Sequence, residues 1–270
     1  MNDTWIITAF VIIDDLMTAL DHHSHVLAGV PDAEIVTVAV VAAKYFQNHH
    51  ERALQIMTRC GFLSGQISVS RFNRRLHALA DWLSLIVETL GELFTQGEVF
   101  ILDSMPLPVC QRARATRCRK VRGRPFCGYC AAKHQKFFGW RLHLVCTPDG
   151  VPVRFTILPG ALHDLTPVHE LLYELPEDAA VFVDKGYNSA DDEASILAET
   201  DVRLVPIRRR NMQPNSWADD YDLRLYRHRI ETVNSQLEAM GIQHLHARTN
   251  VGFELKAHAS LIALACSNAF

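Results

Sequence analysis

The sequence predicts a mixed α/β sheet with flanking helices, preceded by an all-α N-terminal domain. Three observations lead there. Before residue 96, alanine-rich apolar stretches recur at helical spacing, as in Leu76, Leu79, Leu83, Ile86 and Leu90, with no proline after Pro31. Two continuously apolar runs, "VFILD" ending at Asp103 and "AVFVD" ending at Asp184, have the texture of central strands covered on both faces. Between them, "GWRLHLVCTPDGVPVRFTILPG" reads as two strands joined at Pro148-Asp149-Gly150, a hairpin signal.

Taken in order, helices are predicted over 33–46, 49–60 and 71–93, punctuated by Gly61, Gly65, Gly91 and Gly97. The texture changes at Glu98, where "EVFILDSM" opens the β-rich part and the hairpin follows. A helix near 166–175, the strand 179–184, a helix near 190–199 and the strand "VRLVPI" then alternate as in an α/β sheet. A long helix begins near Asp219 or Asp220, and one more helix closes the sequence. The predicted domains are 1–96 and 97–270, the second carrying a basic, cysteine-bearing insert at about 108–136.

With 49% hydrophobic and 21% charged residues, the 270-residue chain has ordinary globular composition, and no apolar run is long enough to cross a membrane. The start lacks the basic region of a signal peptide, so a cytoplasmic, nucleoid-associated protein is expected, its seven cysteines being thiols or metal ligands rather than disulfides. The net charge of -3 hides its distribution: from Gln111 to Arg141 there are ten Lys or Arg and no acid. One strongly basic segment on a mildly acidic chain keeps nucleic acid open as a partner.

If the runs ending at Asp103 and Asp184 are parallel neighbours, both carboxylates emerge at the carboxyl ends of the strands, where open α/β sheets bind ligands. The long helix offers a third acid. Tyr226, Ile230, Val233, Leu237 and Met240 form its apolar stripe, and Arg227, Glu231, Asn234 and Glu238 a polar stripe beside it, so Glu231 is able to look across at the sheet. Three carboxylates held together repel one another unless a cation is present, and Mg²⁺ or Mn²⁺ takes oxygen ligands. Two such ions sharing Asp103 suit in-line attack on a phosphodiester. The plainer readings are a turn or cap for each Asp and an i, i+4 surface pair for Glu231 with Arg227.

The segments "FILDSMPLPVC", "FFGWRLHLVCTPDGVPV", "LPGALHDLTPVHEL", "VFVDKGY" and "YRHRIETVNSQLE" resemble the DDE transposases of bacterial insertion sequences, most closely insertion-sequence family 982, from about Val99 to the C terminus. By motif, Asp103 corresponds to the first acid, Asp184 in D-K-G-Y to the second, and Glu231, in the R-x-x-x-E arrangement starting at Arg227, to the third. The resemblance implies an RNase H-like fold, divalent-metal catalysis, and cutting and joining of DNA at the element's ends, with two ends held by a homodimer. Arg224 and Glu238 stand where related families often have a Tyr and a basic residue. His163-Asp164 also matches the family pattern, although helix capping ahead of Thr166-Pro167 is the reading adopted here. His228 is read as a surface histidine.

Within the insert, Cys127-x-x-Cys130 has zinc half-site spacing, and Cys110 and Cys118 would complete a structural zinc set, though seven residues separate that pair. Cys60, Cys146 and Cys266 are expected in the core. Arg112, Arg114, Arg117, Arg119, Lys120, Arg122 and Arg124, in a loop after the first acidic strand, are candidate phosphate contacts, extended by Arg208, Arg209, Arg210 and Arg227. "LSGQISVSRFNRRL" fits the turn and second helix of a helix-turn-helix, with Arg71, Asn73, Arg74 and Arg75 facing DNA and Phe72, Leu76 and Leu79 facing inward. The expectation is therefore a DNA transposase acting on transposon ends and target DNA. Its rivals are an RNase H-like endonuclease without strand transfer and a non-catalytic DNA-binding protein. A phosphatase or kinase is disfavoured, since no glycine-rich phosphate cradle is found.

Overall fold

The computed structural model describes residues 1–130, 133–210 and 212–269. In chain order the helices are α1 (Asp3–Ala19), α2 (Asp32–Phe46), α3 (His50–Arg59), α4 (Val69–Ala78), α5 (Ala80–Leu93), α6 (Val168–Leu172), α7 (Ala190–Thr200), α8 (Trp217–Ala239) and α9 (Asn250–Asn268). The strands are β1 (Val99–Gln111), β2 (Cys127–Cys130), β3 (Gln135–Cys146), β4 (Pro152–Pro159), β5 (Ala180–Val183) and β6 (Arg203–Pro206). Among the described residues no helix is long and apolar enough to cross a membrane. The chain divides into two compact units, Met1–Leu90 with Gln236–Phe270, and Gly91–Ser235.

The first unit is helical. Asn2 caps α1 by accepting from the Trp5 amide, and Ile6, Ala9, Ile13 and Met17 make a one-sided stripe along it. Helices α2 and α9 differ: every residue of α2 from Ala33 to Ala43 is buried, and so is every residue of α9 from Ala259 to Cys266. Segments buried on every side must be covered all round, and these two helices pack on each other. Residues 236–270, which the sequence groups with the catalytic domain, therefore belong to the helical unit. Asn48, in the left-handed region at φ 64°, ties the unit together: its side-chain amide donates to Met240 O and to Ser260 Oγ, both at 3.1 Å. The helix predicted over 71–93 is two helices, broken where the Leu79 amide bonds to both Arg75 O and Leu76 O.

The second unit holds a six-stranded mixed sheet in the order β2-β3-β1-β5-β6, with β4 also paired to β3. Strand β3 is antiparallel to β1, β2 and β4, whereas β1, β5 and β6 run parallel. The β3–β4 hairpin turns at Gly150, whose φ of 84° suits glycine. One face of the sheet presents Phe100, Leu102, Val145, Val181 and Val183 to Val168, Leu171 and Leu172 of α6 and Ile196 of α7. On the other face lie Ile230 and Val233 of α8, and Phe182 stacks on Tyr226 with ring centroids 5.4 Å apart.

Strand β1 runs past the predicted end, through Pro106 and Pro108 to Gln111. Strand β5 accompanies it only from Val99 to Leu102. The short strand β2 has no counterpart in the sequence reading, because "CGYC" lacks an apolar run.

Candidate active site

The parallel register pairs Leu102 with Val183, so Asp103 and Asp184 follow directly at the carboxyl ends of neighbouring strands. Both fall on the α8 side by strand alternation. Ile101, Asp103 and Met105 line a cavity of about 10 Å³ with Ile230, Val233 and Asn234, room for one water at most. Asn234 Nδ2 donates to Asp103 Oδ2 at 2.6 Å, and the Ser104 amide to Oδ1 at 2.7 Å. Asp103 keeps some exposed surface, yet protein crowds its carboxylate. Burial pushes its pKa up to about 6 against those two hydrogen bonds, and the charges of Asp184 and Asp164 add to the rise. Asp184 itself is exposed on extended backbone.

Glu231 stands one helical turn before Asn234 but faces solvent, its side chain 62% exposed and paired with Arg227 at 3.5 Å and His228 at 3.9 Å. The structure thus brings Asp103 and Asp184 together and leaves Glu231 outside. Among the described residues no group of three or more His, Cys, Asp or Glu is arranged to hold a metal ion. The donor chemistry of the acidic pair nevertheless fits a hard divalent cation. A crowded carboxylate with its pKa raised, beside a second and a third carboxylate, is relieved by oxygen coordination to positive charge.

The opposite face at the same end of β1 was not foreseen as part of the site. Ser104 Oγ donates to Asp164 Oδ1 at 2.9 Å, and Arg141 pairs with that same oxygen at 3.2 Å. His143, opposite Ser104 in the β1–β3 register, is fully buried with neither ring nitrogen partnered, and burial lowers its pKa to about 4. Asp164 does not cap a helix as expected, since α6 begins after Pro167 with no side-chain cap and His163 Nδ1 takes the local bond from the Leu165 amide. The usable signal was alternation: Ser104 sits between Asp103 and Met105, and Arg141 and His143 flank Leu142.

Other expectations need correction. Cys110 lies beside Cys118, but it is not gathered with Cys127 and Cys130. Cys110 and Cys127 both pair with Phe138, from opposite sides of β3, so that strand lies between them. Cys60 is exposed, whereas Cys146 and Cys266 are buried. The basic run is only partly loop, since 112–117 forms a 3-10 helix. Arg112, Arg114, Arg117, Arg119, Arg122 and Arg124 are exposed, while Lys120 is half-buried. Arg208 is committed to Glu193, with two contacts of 2.7 Å, and to Asn215. Arg209 and Arg210 are exposed, Arg209 donating to Lys185 O. In the first unit Arg71, Asn73 and Arg74 are exposed on α4 and Ser68 caps it, but Arg75 is held by Asp32 and Val30 O. The connection from α3 to α4 spans residues 60–68, longer than the three or four residues usual in a helix-turn-helix.

Four strands joined by antiparallel pairing beside two that run parallel to the first, helices on both faces, and an acid at the end of each of two adjacent parallel strands define an RNase H-like domain of the DDE type. The family model described as Transposase DDE domain matches residues 94–250, more than half of the chain, and the chain belongs to that family. No curated protein matches the chain, and no solved structure does.

Proposed function

We propose that this chain is a DNA transposase of an insertion sequence resembling family 982, which binds the terminal inverted repeats, cleaves at the element ends and joins the freed 3'-hydroxyl to target DNA. The observation that carries the reading is the register that puts Asp103 beside Asp184 on one face, with the Asp103 pKa raised by burial and by its acidic neighbours. Asp103, Asp184 and Glu231 would hold two Mg²⁺ or Mn²⁺ ions, which when bound supply charge stabilisation and an activated water for in-line displacement. Glu231 precedes by one turn the residue that touches Asp103, and its exposed pair with Arg227 is worth under about 1 kcal/mol, so it is readily surrendered.

The chain's own residues supply binding and orientation. Asn234 and the Ser104 amide fix the Asp103 carboxylate. The exposed arginines from Arg112 to Arg124, with Arg209 and Arg210, offer phosphate contacts near the catalytic unit, and Arg71, Asn73 and Arg74 offer donors in the helical unit. Water attacks phosphorus and the P–O3' bond breaks; the released 3'-hydroxyl then attacks a target phosphodiester, forming one P–O bond as another breaks. Synapsis of two ends calls for a homodimer on DNA.

The test is cleavage of a labelled duplex holding one element end and its flank, with Mg²⁺ or EDTA, for wild type and Asp184→Ala. Cutting at the junction that needs both metal and Asp184 is expected. Binding without nicking in any metal would overturn the reading in favour of a non-catalytic DNA-binding protein.

A further inference from the structure

Asp164 occupies a position that the two-acid site alone does not explain. Its Oδ1 accepts from Ser104 Oγ, and the Ser104 backbone amide in turn holds Asp103 Oδ1. Its Oδ2 rests against Gly186, two residues beyond Asp184, so closely that a Cβ added there would lie 3.0 Å from it. One carboxylate therefore touches both segments that carry the strand-end acids. Arg141 fixes that carboxylate in turn, donating to Asp164 Oδ1 at 3.2 Å and to Ser104 Oγ at 3.1 Å, while its other terminal nitrogen donates to Tyr129 O of β2 at 2.9 Å. The Arg141 and Asp164 side chains are only 14% and 27% exposed, so the pair is held by protein rather than by solvent.

We propose that Asp164, anchored by Arg141, is a positioning residue that sets the spacing and orientation of Asp103 and Asp184. The proposal rests on the divalent-metal reading above. Ser104 is the link on one side, because a single residue gives its hydroxyl to Asp164 and its amide to Asp103. Gly186 is the link on the other, because a Cβ there would lie 3.0 Å from Asp164 Oδ2 and press the carboxylate back by a few tenths of an ångström. Arg141 spans the site with one terminal nitrogen on Asp164 and Ser104 and the other on Tyr129 O, a spread that suits a planar guanidinium better than the compact ammonium of lysine.

The experiment measures Mn²⁺ binding to the full DNA-free chain by the loss of the free Mn²⁺ paramagnetic resonance signal, with KM and kcat for end cleavage alongside. Wild type, Asp184→Ala, Asp164→Asn, Asp164→Glu and Ser104→Ala are compared. Residues that orient metal ligands typically change affinity 10- to 100-fold when altered, so Asp164→Asn should weaken Mn²⁺ binding about tenfold or more and lower kcat with KM for DNA unchanged. Ser104→Ala, which leaves the Asp164–Arg141 pair intact, should move both readouts in the same direction, and it carries the test if Asp164→Asn does not fold. Asp164→Glu keeps the charge but not the reach, and should recover stability without recovering affinity. Wild-type Mn²⁺ affinity and kcat in Asp164→Asn and Ser104→Ala, alongside lost binding in Asp184→Ala, would overturn the positioning role while sparing the metal reading. Mn²⁺ binding unaffected by Asp184→Ala would overturn both.

Discussion

Helix α9 and strand β3 are each central to their unit, but they bury different chemistry. From Ala259 to Cys266, α9 is buried residue by residue and carries a single hydroxyl, Ser260, which donates to Lys256 O and accepts from Asn48. Strand β3 carries Arg141 and His143 in its middle, next to Ser104 and Asp164. A helix satisfies its own backbone, so apolar side chains complete it at no polar cost. Buried polar side chains cost free energy unless paired, and His143 has neither ring nitrogen paired. The Ala259–Cys266 segment of α9 is built for packing, whereas the middle of β3 holds costly groups where the chemistry is proposed.

The largest expected effect would break this contrast if it failed. Asp103→Asn should lower single-turnover end cleavage on the order of a thousandfold, equivalent to about 4 kcal/mol of transition-state stabilisation, without a fall in thermal midpoint. Next, Ile262→Ala in α9, fully buried, should cost about 2–5 kcal/mol in denaturant unfolding while the folded fraction cleaves at the normal rate. If the two substitutions exchange phenotypes, the division of labour is wrong. Asn48→Ala leaves Met240 O and Ser260 short of a partner and should cost about 1–3 kcal/mol by the same unfolding measurement.

A smaller effect sharpens the comparison through pH. Burial depresses His50 to about 3 and His258 to about 4, both in the helical unit. Their folded values lie below the unfolded ones, so the stability they confer is present above roughly pH 6.5 and is lost as pH falls toward 3 to 4. Asp103 is raised to about 6, so its contribution is present below about pH 4 and is lost as pH rises through 6. Without divalent metal, acidification from pH 6.5 to 4.5 should therefore speed intrinsic-rate-corrected amide exchange in α2 and slow it in β1. His50→Gln should flatten the first trend and Asp103→Asn the second.

Continuous apolar runs made β1 and β5 legible from sequence, and with them the Asp103–Asp184 pair. The β3–β4 hairpin was legible from Pro148-Asp149-Gly150. Other features depend on partners distant in sequence. Arg75 and Arg208 look like free cations until Asp32 and Glu193 arrive from other elements. The cysteines looked like a zinc set because sequence spacing does not reveal that β3 lies between β1 and β2. Asp164 was hidden by a strong local capping pattern, and a run as apolar as Leu261–Cys266 does not declare which core it fills.

Beyond Leu102, among the described residues, β1 has a ladder partner only on its β3 side. Successive N–H groups along a strand point to alternate sides, and Pro106 and Pro108 share parity, so the donors they lack are missing from one edge. An edge stripped of alternate donors is a poor template for another strand. Proteins crowded along the same DNA meet at high local concentration, where a complete exposed edge would zip neighbouring copies into sheet aggregates. The two prolines let this strand extend past the acid without becoming adhesive.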